Sequence, residues 1–112
     1  LAVLIIAGHV ISSQKKETPY DKISLEDIRK LSQLGDELTF DDFRGYFGAD
    51  VSSNLNYHIM IYAVEGGYRL IVRTDGKQID SVNLEKVEDA AGSGIDIRYY
   101  DVDEFLKRRP LP

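Results

Sequence analysis

The 112-residue chain carries 14 Lys+Arg against 19 Asp+Glu, a net charge of −5, with 43% apolar residues, 10% aromatic residues and no cysteine. A chain of this length buries roughly 65% of its unfolded surface, enough for one hydrophobic core without covalent staples. The missing cysteine excludes disulfides, thiolate zinc sites and cysteine nucleophiles, and the acidic balance argues against nucleic acid, whose phosphates need a clustered basic surface.

Residues 1–11, Leu-Ala-Val-Leu-Ile-Ile-Ala-Gly-His-Val-Ile, form an apolar run broken only by His9. Such a run has the length of a signal-peptide core and falls short of the ~20 residues that span a bilayer. We therefore expect residues 1–16 to be the remnant of an apolar leader or signal anchor with its linker, a buried first element being the alternative. The polar stretch around Pro19 leads into a single domain, residues 17–112. Export or membrane tethering through residues 1–11 would place that domain outside the cytoplasm.

Ser24 ahead of Leu25-Glu26-Asp27-Ile28 supplies an N-cap, with Ile23 and Ile28 as a hydrophobic staple. The spacing of Ile28, Leu31 and Leu34 predicts a helix that ends at Gly35. Thr39 and Asp42 repeat the pattern and predict a second helix to about Gly48, with Phe40, Phe43 and Phe47 on its inner face. From Asn56 the period becomes two: Tyr57 to Val64, Tyr68 to Thr74 and Gln78 to Leu84 read as three strands, joined at Glu65-Gly66-Gly67 and Asp75-Gly76. A fourth strand is expected over Ile95–Tyr100, then a short helix from Val102 to Arg108 that closes on Lys107-Arg108-Arg109. The expected fold is α+β: two N-terminal helices packed on one face of a four-stranded antiparallel sheet, with a short C-terminal helix.

Few residues here support catalysis, and we expect no enzyme, no cofactor and no metal. His9 and His58 are the only histidines, so no second imidazole is placed to join His58. Asp101-Val102-Asp103-Glu104 starts like an oxygen-ligand loop but lacks the central glycine and closing glutamate; its residues suit a helix cap better. A helix-turn-helix reading of the two helices fails because Arg44 is the sole cation among Asp41, Asp42 and Asp50.

The sheet face turned away from the helices is the candidate site. With Ile59, Ile61, Leu70, Val72, Ile95, Ile97 and Tyr99 assigned to the covered side, the other side shows His58, Met60, Tyr62, Arg69, Ile71, Arg73, Arg98 and Tyr100. Tyr, Arg and Met are the types enriched in protein interfaces. We expect Tyr62, Arg69, Arg73, Arg98 and Tyr100 to bind a partner protein; the alternative is a solvated face whose arginines pair with Asp80 and Asp96. A small ligand-binding or hydrolytic domain centred on His58 is the competing function. Charge adds a preference: residues 17–55 hold nine acids and four bases, residues 56–112 ten acids and eight bases, so a basic partner would favour the first half.

The order helix, helix, antiparallel meander, terminal helix resembles the beta-lactamase-inhibitor-protein-like and SmpA/OmlA-like outer-membrane assembly domains. Leu38-Thr39-Phe40-Asp41-Asp42-Phe43-Arg44-Gly45-Tyr46-Phe47-Gly48 is similar to their second helix. Together with Ile95-Asp96-Ile97-Arg98 and Asp101 to Leu106, it also looks like small exported, lipoprotein-type domains of Gram-positive bacteria. The resemblance spans residues 23–107 and implies a non-enzymatic, extracytoplasmic module that binds another protein; it carries over no inhibitory residue.

Overall fold

The computed structural model describes residues 22–90 and 92–108; the apolar run 1–11, nearly all of the linker and Arg109 lie outside the described residues. Helix α1 spans Leu25–Gln33. Its free N-terminal amides are met by two side chains: Ser24 Oγ accepts from Asp27 N at 3.0 Å, and Glu65 Oε1 accepts from Leu25 N at 2.7 Å. Ile28 and Leu31 face inward, as their spacing predicts.

The expected second helix is not formed. Residues Gly35–Glu37 and Phe40–Phe43 are two short 3₁₀ turns, so α1 is the one N-terminal α-helix. The hydrogen bonds show why the segment stays tight: Asp42 N to Thr39 O, Arg44 N to Asp41 O and Tyr46 N to Phe43 O all close over three residues, at 3.0–3.1 Å. Gly45 and Gly48 weaken any α-helical continuation, and the Asp42 carboxylate accepts from Thr39 N at 2.9 Å, which caps a single turn as well as it would a long helix.

The sheet has five antiparallel strands, not four, in the order of the chain: β1 (Ala49–Asp50), β2 (His58–Val64), β3 (Tyr68–Thr74), β4 (Ile79–Lys86) and β5 (Ile95–Asp96). The added strand, β1, is two residues long and pairs Ala49 with Ile61 and Asp50 with Met60. The run Ile95–Tyr100 contributes only two residues to the ladder. Asp96 ends it: its carboxylate replaces a backbone acceptor for Val82 N (3.2 Å) and for Arg98 N (3.0 Å), and the amides of Tyr99 and Tyr100 turn back onto Asp96 O. Helix α2, Val102–Leu106, is capped by Asp101 and adds Val102 and Phe105 to the core. Arg29 Nε donates to Asp103 at 2.7 Å, which ties α2 to α1.

Register decides which strand residues are covered. Opposed residues of antiparallel strands share a face. Tyr62 lies opposite Leu70, Leu70 opposite Leu84 and Leu84 opposite Ile95, and this row joins Ile28, Leu31, Leu38 and Phe43 in one core. The expected parity of β2 is therefore inverted. Tyr62 is 2% exposed and Met60 packs against the core, while Ile59 and Ile61 stand on the other side, level with Arg73 and Ile71. Leu70, Val72, Ile95 and Ile97 are core residues as expected; Tyr99 is exposed. Among the described residues no helix is long and apolar enough to cross a membrane.

Candidate functional site, an aromatic groove beside strand β1

The five residues expected to form a partner surface do not come together. Tyr62 is in the core, on the opposite side of the sheet from Arg69 and Arg73. Arg69 Nε and Nη2 donate to Oε1 of the buried Glu85 at 3.2 and 3.1 Å, so its charge is spent inside the fold. Arg98 is a clamp on the edge of β4. It donates to the Asp96 carboxylate, to Ile79 O at 3.1 Å and to Asp80 O at 3.0 Å, and its guanidinium lies 4.7 Å from the centre of the Tyr99 ring. Burial would raise the Asp96 carboxyl, but the hydrogen bonds from Arg98 and Val82 outweigh it and hold the group below its usual range. Arg73 stands half-buried opposite Ser81, and Tyr100 is exposed in the turn beyond β5.

A different surface is built at the other edge of the sheet. The 3₁₀ turn Phe40–Phe43 crosses the end of β2 and leaves a hollow of about 250 Å³ lined by Phe40, Phe43, Arg44, Tyr46, Phe47, Gly48, Met60 and Tyr62. Its floor is the stacked pair Phe43 and Tyr62, with ring centroids 5.4 Å apart. Gly48 makes that floor possible: a Cβ there would stand 2.5 Å from Tyr62 Cε1. Phe47 on the rim is 62% exposed, and Val51 and Leu55 follow it into solvent beyond β1. Three exposed apolar side chains within nine residues beside one hollow are the main apolar feature of this edge. The volume lies under the ~300 Å³ at which pockets for small molecules begin, and suits a single inserted side chain.

Charged groups rim the hollow. Asp41 pairs with Arg44 at 2.7 Å, Asp42 caps the 3₁₀ turn, and Asp27 accepts from Tyr46 Oη at 2.8 Å. Burial, then the bond to Asp27, pushes the Tyr46 hydroxyl well above its ordinary range. Asp50 on β1 meets His58 Nδ1 at 2.8 Å, and Phe40 stacks on the imidazole at 6.5 Å between centroids. Hydrogen bonds from the Ser52 hydroxyl, from His58 and from Ser52 N hold the Asp50 carboxyl well below the usual carboxylate range. Eight residues separate Asp50 from His58, and β1 alone brings them together, so spacing offered no sign of the pair. Phe40, Phe43 and Phe47 did stand out in the sequence, as a helix face; their common hollow is the part that sequence could not give.

Burial also pushes the Tyr62 hydroxyl up to about 12. The neutral phenol is favoured in the fold, so this contribution to stability is complete below about pH 10, the unfolded value, and is lost as pH rises through 12. In an alkaline titration Tyr62→Phe should hold its near-ultraviolet circular dichroism to higher pH than the parent. Superimposable curves would refute a titrating Tyr62.

Among the described residues no group of three His, Asp or Glu side chains is placed to hold a metal ion. No protein-family model, no curated protein and no solved structure matches the chain.

Proposed function

We propose that the chain is a non-enzymatic, extracytoplasmic protein-binding module that holds its partner at the aromatic groove. The observation that carries this reading is the hollow over the Phe43–Tyr62 pair, open to solvent and edged by the exposed Phe47. A side chain inserted there would be desolvated on aromatic walls, the setting in which interface anchors concentrate binding energy. The placement outside the cytoplasm rests on the apolar run of residues 1–11 and on the resemblance to exported domains.

One contact favours the competing function. The hydrogen bond from Asp50 to His58 Nδ1 is the arrangement that orients a general base. The Ser52 hydroxyl, however, donates to Asp50 at 2.7 Å rather than standing over the imidazole as a nucleophile. Turnover of ester or amide substrates, abolished in His58→Ala, would establish a hydrolase in place of the binding module.

Selection from a random peptide display library on the full chain tests the groove. Peptides that bind the parent should lose about tenfold or more in affinity on Phe47→Ser. That variant changes an exposed side chain and should unfold within about 0.5 kcal/mol of the parent. Peptides that bind both proteins equally would remove the groove as the binding surface.

A further inference from the structure

The groove is apolar inside and negative around its mouth. Asp27, Asp41, Asp42 and Asp50 stand on the elements that frame it, and Arg44 is the one permanent cation among its lining residues. Arg44 is already paired with Asp41, and Asp50 is held ionised by Ser52 and His58. The preceding 3₁₀ turn adds Asp36 and Glu37, both exposed and both near the start of this segment. A partner entering here meets carboxylates on the way to an aromatic floor.

From that complementarity we infer that the groove takes a basic segment of another protein, in which a single aromatic or long aliphatic side chain is flanked by lysine or arginine. The inference rests on the groove being the binding surface. The apolar side chain fills the hollow above Phe43 and Tyr62, and the flanking cations lie against Asp41 and Asp50 at the rim. Strand addition along β1 does not compete as the mode of capture. Val51 N bonds to Ile59 O, so Ala49 and Val51 direct their backbone groups to β2, and the remaining outer edge is shortened and charged by Asp50. An acidic segment or an anionic lipid surface would be repelled by the same rim.

The test compares three capped peptides on the full chain: Lys-Lys-Gly-Phe-Gly-Lys-Lys, the same peptide with glutamate for lysine, and the lysine peptide with alanine for phenylalanine. The lysine–phenylalanine peptide should bind most tightly. Its affinity should fall about fivefold or more between low and high salt, and about threefold on Asp41→Asn at low salt. The alanine peptide should bind at least about tenfold more weakly, because the hollow is then unfilled. If the glutamate peptide binds as well as the lysine peptide and both depend on Phe47, the groove stands as a binding surface and the basic partner is wrong. If neither peptide depends on Phe47, the groove reading itself fails. Concentration-dependent dimerisation abolished by Phe47→Ser would identify a second copy of the chain as the occupant and would overturn the inference.

Discussion

Arg69→Ala is expected to destabilise the fold by about 3 kcal/mol, the cost of leaving a buried carboxylate without its counter-ion. Glu85 is 1% exposed, and its Oε1 is held by Arg69. Its Oε2 accepts from Gly92 N at 3.0 Å, so the same carboxylate secures the loop between β4 and β5. With Arg69 gone, Glu85 has either to take up a proton or to pull the loop open, and both lower stability near neutral pH. Replacing the two together, Arg69→Met with Glu85→Leu, should recover most of the loss, because the desolvation cost disappears with the charges. Urea unfolding of the two single variants and the pair measures this coupling. Additive losses would contradict it. The result also separates two roles for Arg69. A binding defect in Arg69→Ala that follows the loss of stability reports on the fold rather than on a contact with a partner.

Gly94→Ala should be at least as damaging, at about 3 kcal/mol or more. A Cβ at position 94 would collide with the Leu84 carbonyl oxygen and stand 2.7 Å from Glu85 Cγ. The oxygen belongs to the backbone of β4, so no rotamer change relieves the clash, and the cost of overpacking falls at the upper end of its range. The strand β5 would have to leave β4. Ile95 and Ile97 would then withdraw from the core, and the Asp96–Arg98 clamp would lose its seat on Ile79 O and Asp80 O. Hydrogen exchange locates the damage: Val82 N, which donates to Asp96, should lose protection before the amides of β2 and β3. Uniform loss of protection, or none, would contradict the account.

The parts of the fold that sequence reveals are those with a single local solution. Helix α1 has Ser24 before it, Gly35 after it and an apolar stripe between them, and it forms as expected. The meander is legible for the same reason, through Glu65-Gly66-Gly67 and Asp75-Gly76. The segment Thr39–Gly48 has equally good capping signals but too little chain to use them. Caps specify where a helix starts; they do not supply the turns that tertiary packing must reward, and two glycines in ten residues withhold them.

The inverted face of β2 has a different cause. Ile59 and Ile61 are as apolar as Met60, Tyr62 and Val64, so the strand reads as covered in either phase. The three-residue connection at Glu65-Gly66-Gly67 breaks the tie. Pairing Val64 with Tyr68 puts Tyr62 opposite Leu70, and the two must share a face. Once Leu70 is a core residue, Tyr62 is one too. Strand β1 and the Asp50–His58 pair could not be read in this way, since a two-residue strand has no periodicity and its register comes from the edge it joins.

The partner surface moves for these reasons from the open sheet face to the edge beside β1. Arg98 and Arg69 are rich in hydrogen bonds, and each serves the sheet: one seals the outer edge of β4, the other neutralises Glu85. Phe47, Val51 and Leu55 have no comparable place in the core, and they are what the fold presents to solvent around the hollow.

Met60 lines that hollow and is the only methionine in the chain. A sample labelled with carbon-13 at the methionine methyl therefore gives one signal, reporting from the groove wall. Titration with Lys-Lys-Gly-Phe-Gly-Lys-Lys should move it saturably, and Phe47→Ser should abolish the shift. A Met60 signal that stays in place while the peptide binds would contradict the assignment of the groove as the binding surface.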